Sequence, residues 1–340
     1  MNIASHQMPR IPLAVLTGFL GSGKTTLLNR LLSEPSMHDT AVIVNEFGEI
    51  GIDHLLVASV ADDIVLLASG CVCCSAGEDL GGALASLLAR RSDGVLPPFQ
   101  RIVLETTGIA DPGPVLQRIL SDESIAAQIR IQAVVTVVDA VFGDASITRH
   151  TECASQVAMA NRLVISKLDL APRGQVDSLL VRLRSMNPVA PILFSGRDEP
   201  AVFNSLFSCT NDGLSFSASA PLVHRPLQPG AAADHATRYA TFCLCWNEPT
   251  NWDDFKAWLE GLLIARGDSI LRMKGILRIE GSARPVVVQG VQHALYPPQE
   301  LADWPHDRRD NEVVFVTRDF SRDAALRSFR QFFSHHITSA

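Results

Sequence analysis

The chain has 340 residues, of which 47% are hydrophobic and 19% charged, a composition typical of globular domains and not of disordered or fibrous proteins. Its 29 basic and 36 acidic residues give a formal net charge of -7, which argues against nucleic acid or an anionic membrane as a partner. No uncharged apolar run reaches the roughly 18 residues that a membrane-spanning helix needs.

Apolar runs of strand length alternate with helix-period segments through roughly the first 200 residues, the pattern of a parallel sheet covered by helices. The predicted strands are Ile11–Thr17, Ala41–Asn45, Ile64–Leu67, Arg101–Glu105, Ala133–Val138, Leu163–Ser166 and Pro191–Phe194. The predicted helices are Lys24–Ser33, Glu78–Arg90, Gly113–Leu120 and Gln175–Ser185. We therefore predict a doubly wound α/β domain with a mostly parallel sheet.

Residues 211–237 are rich in Ser, Ala, Pro and Gly and show no sustained period, so we predict a linker there. It divides the chain into a first domain, 1–210, and a smaller α+β domain, 238–340. The predicted strands of the second domain are 238–246, 270–280, 285–291 and 312–317, and its predicted helices are 252–263 and 322–333.

The segment Gly18 to Thr25 fits the pattern G-x-x-x-x-G-K-[ST] and lies between a predicted strand and a predicted helix. Its glycines let successive backbone N–H groups surround phosphate oxygens, and the helix N-terminus adds partial positive charge. Lys24 would contact the terminal phosphates, and the hydroxyl of Thr25 would hold Mg²⁺. The predicted phosphate-binding residues are Gly18, Gly21, Ser22, Gly23, Lys24, Thr25 and Thr26.

The segment Ser166-Lys167-Leu168-Asp169 follows another apolar strand and resembles the [NST]-K-x-D guanine signature of GTPases. The Asp169 carboxylate can accept both the N1–H and the exocyclic amine of guanine, a donor pair that adenine lacks. Lys167 would lie along the base and contact the phosphate-binding segment Gly18 to Thr25, called the P-loop below. The sequence therefore predicts GTP as the nucleotide, with Ser166, Lys167 and Asp169 at the base.

Between these two motifs, Glu105-Thr106-Thr107-Gly108 closes the fourth predicted strand. A carboxylate at the end of that strand is placed to orient Mg²⁺ or its bound water, as a Walker-B acid does. The flexible Gly108 could bring its backbone N–H to the γ-phosphate. We predict Lys24, Glu105 and Gly108 as the catalytic residues.

Three of the seven cysteines are crowded into Cys71-Val72-Cys73-Cys74. They lie too close together to form a disulfide framework among themselves, and three thiolates can supply most of a tetrahedral site for Zn²⁺ or another thiophilic ion. Reduced thiols indicate a cytoplasmic setting. Redox chemistry and simple burial are the alternatives for this cluster.

No second C-x-x-C pair and no H-x-x-x-H pair accompanies the cluster, so one coordination position is open. The oxygen donors nearest in sequence are Glu46, Glu49 and Asp53, which follow the second predicted strand, where a nucleotide-sensing switch would lie. We predict Glu46 and Glu49 as further metal ligands. A solvated acidic loop is the alternative.

Two of the remaining cysteines, Cys243 and Cys245, alternate in a predicted strand and therefore share one of its faces. We interpret both of them as buried packing residues. We interpret Cys153 and Cys209 in the same way.

Taken in order, these motifs resemble those of the CobW family of P-loop GTPases, cytoplasmic metal-handling proteins. The likeness reaches the second domain through Arg272-Met273-Lys274-Gly275 and Val288-Gln289-Gly290-Val291. It implies a GTP-hydrolysing metallochaperone or insertase, with Cys71 to Cys74 as its metal motif and Glu105 to Gly108 as its acidic switch. Two features depart from the family: Ser166 replaces the more familiar Asn, and the linker lacks a histidine-rich stretch, which weakens a storage role.

We expect the chain to hydrolyse GTP with Mg²⁺, to bind a transition metal, and to deliver that metal to a client metalloprotein. Sulfur-rich ligation favours Zn²⁺, and Co²⁺ or Fe²⁺ also fit. The main alternative is a GTP-dependent assembly factor for a metalloenzyme, cobalamin-related cobalt insertion included, in which the cysteines are structural. A thiol-based redox sensor is the third class.

Overall fold

The computed structural model describes residues 10–45, 65–68, 80–196, 239–305 and 309–337. These residues form two compact units. The first takes its described residues from 10–183 and 190–196, and the second from 184–189 and 239–337. The predicted linker, 211–237, lies outside the described residues.

Strands and helices alternate along most of the first unit. Its strands are β1 (Ile11–Thr17), β2 (Thr40–Asn45), β3 (Val65–Ala68), β4 (Arg101–Thr106), β5 (Ile129–Asp139), β6 (Arg162–Ser166) and β7 (Ile192–Phe194). Its helices are α1 (Lys24–Leu32), α2 (Leu80–Ser92), α3 (Pro112–Ser121), α4 (Glu123–Gln128), α5 (Gly143–Arg149), α6 (Thr151–Met159) and α7 (Arg173–Met186), with a 3-10 turn at Pro35–Met37. The last residues of α7 belong to the second unit.

The seven strands form one sheet in the order β3-β2-β4-β1-β5-β6-β7, and every adjacent pair is parallel. The central strands are almost wholly buried, as expected when helices cover both faces of a parallel sheet. Because all strands run the same way, their carboxyl ends meet at one edge. The chain leaves β1, β4, β5 and β6 there, so this edge carries the sequence motifs.

Three helices of the first unit, α4, α5 and α6, are absent from the prediction made from the sequence. In α6, every residue from Cys153 to Met159 is buried. A helix buried on all sides has no polar face, so its sequence lacks the 3.6-residue alternation on which such a prediction depends. The other two helices are only six and seven residues long.

The second unit is an antiparallel sheet with two helices. Its elements are β8 (Tyr239–Trp246), α8 (Trp252–Arg266), β9 (Ile270–Arg278), β10 (Pro285–Val291), β11 (Ala294–Leu295), β12 (Gln299–Glu300), β13 (Asn311–Arg318) and α9 (Arg322–Ile337). The sheet order is β11-β10-β9-β13-β8, with β12 beside β10. Side chains of β8, β9 and β13 pack with α8 and α9 into an aromatic core that includes Phe242, Phe255, Trp258 and Phe315.

These two units confirm the predicted fold class, a parallel α/β domain followed by a smaller α+β domain. Among the described residues, no helix combines the length and the apolar character that crossing a bilayer requires.

Candidate functional site

The loop between β1 and α1 has a backbone that only glycine accommodates without strain. Gly21 and Gly23 have φ values of 69° and 92°, in the left-handed region. A Cβ on Gly18 would lie 2.3 Å from the carbonyl oxygen of Val137 on β5. The predicted glycines are therefore required by the loop itself, which leads directly into the N-terminus of α1.

Lys24, the first residue of α1, folds back over this loop. Its Nζ donates to the carbonyl oxygens of Gly18 at 2.9 Å and Phe19 at 3.3 Å, and the side chain is buried. The ammonium therefore lies inside the turn of the loop, beside the backbone N–H groups that would meet phosphate oxygens.

Thr25 follows at the start of α1 and contacts β4 through its side chain. Its hydroxyl donates to Oε1 of Glu105 at 2.8 Å, and Glu105 is 4% exposed. A hydroxyl and a carboxylate that already touch provide the hard oxygen donors that Mg²⁺ prefers. The donor set of this pair therefore fits a magnesium ion.

The segment after β4 is held against the P-loop. A Cβ on Gly108 would lie 2.6 Å from the backbone nitrogen of Leu20, so only glycine allows this approach. The side-chain amide of Gln156 on α6 donates to the carbonyl oxygens of Gly108 at 3.1 Å and Ala110 at 2.9 Å. Gln156 is fully buried and so fixes the peptide that follows Glu105.

The segment after β6 contacts the P-loop from the other side. The hydroxyl of Ser166 donates to the carbonyl oxygen of Ser22 at 2.6 Å. Nζ of Lys167 donates to the carbonyl oxygen of Gly21 and to Oδ2 of Asp139, both at 2.6 Å. Lys167 has a φ of 56°, an uncommon conformation for a residue with a side chain and one that clusters at functional sites.

These contacts surround a cleft of about 340 Å³ at the carboxyl edge of the sheet. Among its lining residues are Gly21, Gly23, Lys24, Thr25, Thr26, Glu105, Gly108 and Lys167. Gly18 and Ser22 belong to the loop beside the cleft, and their carbonyl oxygens accept from Lys24 and Ser166, respectively. Asp169 is exposed just beyond β6. The structure thus brings the predicted phosphate, acidic and base motifs to one place.

Two residues of this network, Asp139 and Gln156, are missing from the sequence prediction. Asp139 ends β5, accepts from the backbone N–H groups of Val141 and Phe142, and forms an ion pair with Lys167. Its sequence signal is the same as that of Glu105, an acid at the carboxyl end of a strand. Gln156 lies in the buried stretch of α6, from Cys153 to Met159, and has no such signal.

The predicted metal ligands Glu46, Glu49, Cys71, Cys73 and Cys74 lie outside the described residues, so that site stays a prediction. Within the described ranges, no group of three or more His, Cys, Asp or Glu side chains is placed to hold a metal ion. Cys153 is buried, as expected, but Cys245 is exposed and Cys243 is only half-buried. The interpretation of that pair as buried packing is therefore wrong.

Two family models match the chain. The CobW/HypB/UreG nucleotide-binding domain matches residues 12–194, and the cobalamin synthesis protein cobW C-terminal domain matches residues 239–333. The two matches follow the two units of the structure.

Similar proteins are known from bacteria and yeast. Zinc chaperone YjiA of Escherichia coli (strain K12) is 34% identical over 312 residues, which cover 91% of this chain and 94% of that protein. Zinc-regulated GTPase metalloprotein activator 1 of Saccharomyces cerevisiae is 28% identical over 334 residues, covering 84% of this chain and 76% of that protein.

A crystal structure of Zn(II)-bound YjiA GTPase from E. coli superposes with a TM-score of 0.69 at 28% identity. It covers 96% of this chain and 99% of that one. The likeness therefore extends over both units and over the motifs that build the cleft. The chain belongs to the CobW/HypB/UreG family of nucleotide-binding proteins and carries the CobW C-terminal domain.

Proposed function

We propose that this chain is a GTPase that carries a transition metal, with Zn²⁺ as the first candidate, and releases it to a client metalloprotein in a cytoplasmic setting. The observation that carries the proposal is the convergence of Lys24, Glu105 and Lys167 on one cleft at the carboxyl edge of the sheet. Relatives named as a zinc chaperone and as a zinc-regulated GTPase metalloprotein activator support the choice of nucleotide and of metal.

The phosphates of GTP would lie in the P-loop. Backbone N–H groups of the loop and the start of α1 would receive their oxygens, and the Lys24 ammonium would contact the terminal phosphates. Thr25 and Glu105 would hold Mg²⁺. The bound ion would neutralise the negative charge that develops on the phosphates. Gly108 would direct its backbone N–H at the γ-phosphate and thereby distinguish GTP from GDP.

The guanine base would bind beyond β6. The exposed Asp169 carboxylate can accept the two donors on the Watson–Crick edge of guanine, and the stem of Lys167 would pack along the ring. The contact of Lys167 with the carbonyl of Gly21 joins the base site to the phosphate site. Ser166 lacks the amide of the more familiar Asn and instead bonds the P-loop carbonyl of Ser22.

The geometry of the described strands supports coupling between nucleotide and metal. Strand β2 lies between β3 and β4, with Val44 paired to Ala68 on one side and to Glu105 on the other. The chain therefore leaves β2 at Asn45 and β3 at Ala68 on the edge that holds the nucleotide cleft. The proposed ligands Glu46, Glu49, Cys71, Cys73 and Cys74 follow these two strand ends in sequence.

In the proposed cycle, GTP orders the acidic segment after β2 against the thiolates after β3, and hydrolysis relaxes it and frees the ion. A thousandfold change in metal affinity requires a coupling free energy of about 4 kcal/mol, since each factor of ten is about 1.4 kcal/mol. A few contacts from the γ-phosphate to Lys24 and Gly108 are of sufficient strength, because hydrogen bonds to charged groups contribute about 1.5–3 kcal/mol each.

The test is a competition for Zn²⁺ between the protein and a chelator, with either a non-hydrolysable GTP analogue or GDP bound. We expect zinc affinity to be about a thousandfold higher with the analogue, the figure that a coupling of about 4 kcal/mol gives. Replacing Cys71, Cys73 and Cys74 by serine should abolish this nucleotide-dependent binding. Equal zinc affinities in the two nucleotide states would contradict the mechanism and favour the assembly factor with structural cysteines.

A further inference from the structure

Two thiols face each other on β8, the last strand in the sheet order of the second unit. The sulfur atoms of Cys243 and Cys245 are 3.3 Å apart. Because alternate residues of a strand share a face, both point away from Phe242 and Leu244, which enter the aromatic core. Cys245 is exposed and Cys243 is half-buried, so the pair is open to solvent.

The neighbouring strand adds negative charge beside the pair. Glu312 on β13 is paired directly with Cys245, which places its side chain on the same face of the sheet. Its carboxylate also acts electrostatically on the Cys243 thiol. Within the described ranges, no set of three His, Cys, Asp or Glu side chains could hold a metal ion, so the pair would supply two ligands and leave other positions open.

The spacing of the sulfurs suits a shared metal ion better than a disulfide. With a Zn–S bond of about 2.3 Å and a tetrahedral angle, the two sulfurs of a bound pair lie roughly 3.8 Å apart, which is about 0.5 Å from the observed separation. A disulfide needs about 2.05 Å between sulfurs. Residues two apart in an extended strand have Cα atoms separated by roughly 6.6–6.8 Å, at the upper limit for a disulfide.

We propose that Cys243 and Cys245 form a second metal site, a two-thiolate chelate for a thiophilic divalent cation on the surface of the second unit. The cation replaces the two thiol protons, which pass to solvent, and forms two metal–sulfur bonds without any change in oxidation state. Water, or ligands from another protein, complete its coordination. The identity of the bound ion as cargo rests on the proposed function, in which the chain carries a transition metal. An open two-ligand site suits an ion in transit more than an ion held permanently.

The experiment isolates this pair from the other cysteines of the full-length chain. In a background in which Cys71, Cys73, Cys74 and Cys209 are all serine, the reduced protein is titrated with Cd²⁺ without nucleotide, and the ultraviolet cadmium–thiolate band is recorded. We expect one Cd²⁺ per chain. Cys243→Ser or Cys245→Ser alone should weaken binding by at least about 100-fold, because each leaves a single thiolate and removes the chelate. Cys153→Ser, which removes a buried thiol, is the matched control and should leave the titration unchanged.

Three outcomes would overturn the inference: a cadmium band that persists when both β8 cysteines are serine, single variants that each retain half the affinity, or a pair that forms a disulfide in air yet binds no Cd²⁺ when reduced. Because nucleotide and the Cys71 to Cys74 cluster are absent, the result is independent of the zinc competition described above. A failed Cd²⁺ titration would leave the proposal of a nucleotide-coupled site unaffected. A failed zinc competition would leave the Cys243–Cys245 pair as a metal site without an assigned cargo.

Discussion

At the scale of single residues, the P-loop is shaped by side chains that bind its carbonyl groups. Lys24 binds the carbonyls of Gly18 and Phe19, Lys167 binds that of Gly21, and Ser166 that of Ser22. These bonds hold the carbonyl groups of the loop in place and thereby fix the turn in which its N–H groups would meet phosphate oxygens. The chain has only four lysines, and two of them perform this task, which requires a compact ammonium on a flexible stem.

Asp169 gives the sharpest test of the base site, because it is exposed and the substitution changes no buried group. Asp169→Asn replaces a carboxylate acceptor by an amide donor facing the guanine amine. We expect GTP affinity to fall by roughly 5- to 150-fold, since a bidentate base contact is worth about 1–3 kcal/mol of discrimination. Affinity for xanthosine triphosphate, which carries a carbonyl at that position, should rise.

Equilibrium binding of fluorescent nucleotides measures both effects. Asp177→Asn, an exposed acid on α7, is the matched control and should bind GTP like the unaltered protein. GTP affinity that is the same in both variants would show that the base binds elsewhere.

At the scale of elements, the segment after β4 and helix α6 form one support for the cleft. Thr106 donates to the hydroxyl of Thr17 on β1 at 2.8 Å, and Gln156 holds the two carbonyls farther along. The backbone around Gly108 is thereby fixed at both ends against the P-loop. A rigid N–H donor at that place is what recognition of a γ-phosphate needs.

Gly108→Ala tests this support by steric means. The added methyl would lie 2.6 Å from the backbone nitrogen and 2.8 Å from Cα of Leu20, so either the loop or the segment must shift. We expect GTP hydrolysis to slow by at least about 10-fold, the equivalent of about 1.4 kcal/mol of barrier. Gly174→Ala on α7 is the control, because no atom beyond its chain neighbours and the backbone of its own helix lies within 4 Å of the new methyl. Equal hydrolysis rates in the two variants would exclude close packing of Gly108 as a requirement.

Many of the strands and helices of the first unit could be predicted from the sequence. Buried parallel strands are continuous apolar runs, so β1 and β4 were predicted to within one residue. The buried helix α6 was not predicted, because it has no polar face. For the same reason, its residue Gln156 was not predicted as part of the site. Distances such as that between Gly108 and Leu20 arise from packing of elements far apart in sequence, which local patterns do not record.

At the scale of the whole molecule, the two units differ in their aromatic content. All four tryptophans and both tyrosines of the chain lie between 239 and 304, in the second unit. The core of the first unit is almost entirely aliphatic. Tryptophan fluorescence therefore reports on the second unit alone, and the first unit needs another probe.

Cys153 on α6 is that probe. The thiol is 4% exposed, and burial raises its pKa to about 12. At pH 8 the folded protein therefore presents almost no reactive thiolate at this position, and alkylation requires the first unit to open. Labelling of Cys153, followed by mass spectrometry of its peptide, measures the stability of the unit that carries the nucleotide cleft.

Nucleotide binding should slow this labelling by a predictable amount. A ligand present at about 100 times its Kd stabilises the folded state by about 2.7 kcal/mol, so Cys153 alkylation should become roughly 100-fold slower with GTP and Mg²⁺. The Asp169→Asn variant at the same GTP concentration should show a much smaller effect, because its site is less occupied. Tryptophan fluorescence during denaturation shows in parallel whether the second unit gains stability too. An unchanged labelling rate in the unaltered protein would mean that GTP does not bind to the unit containing the P-loop.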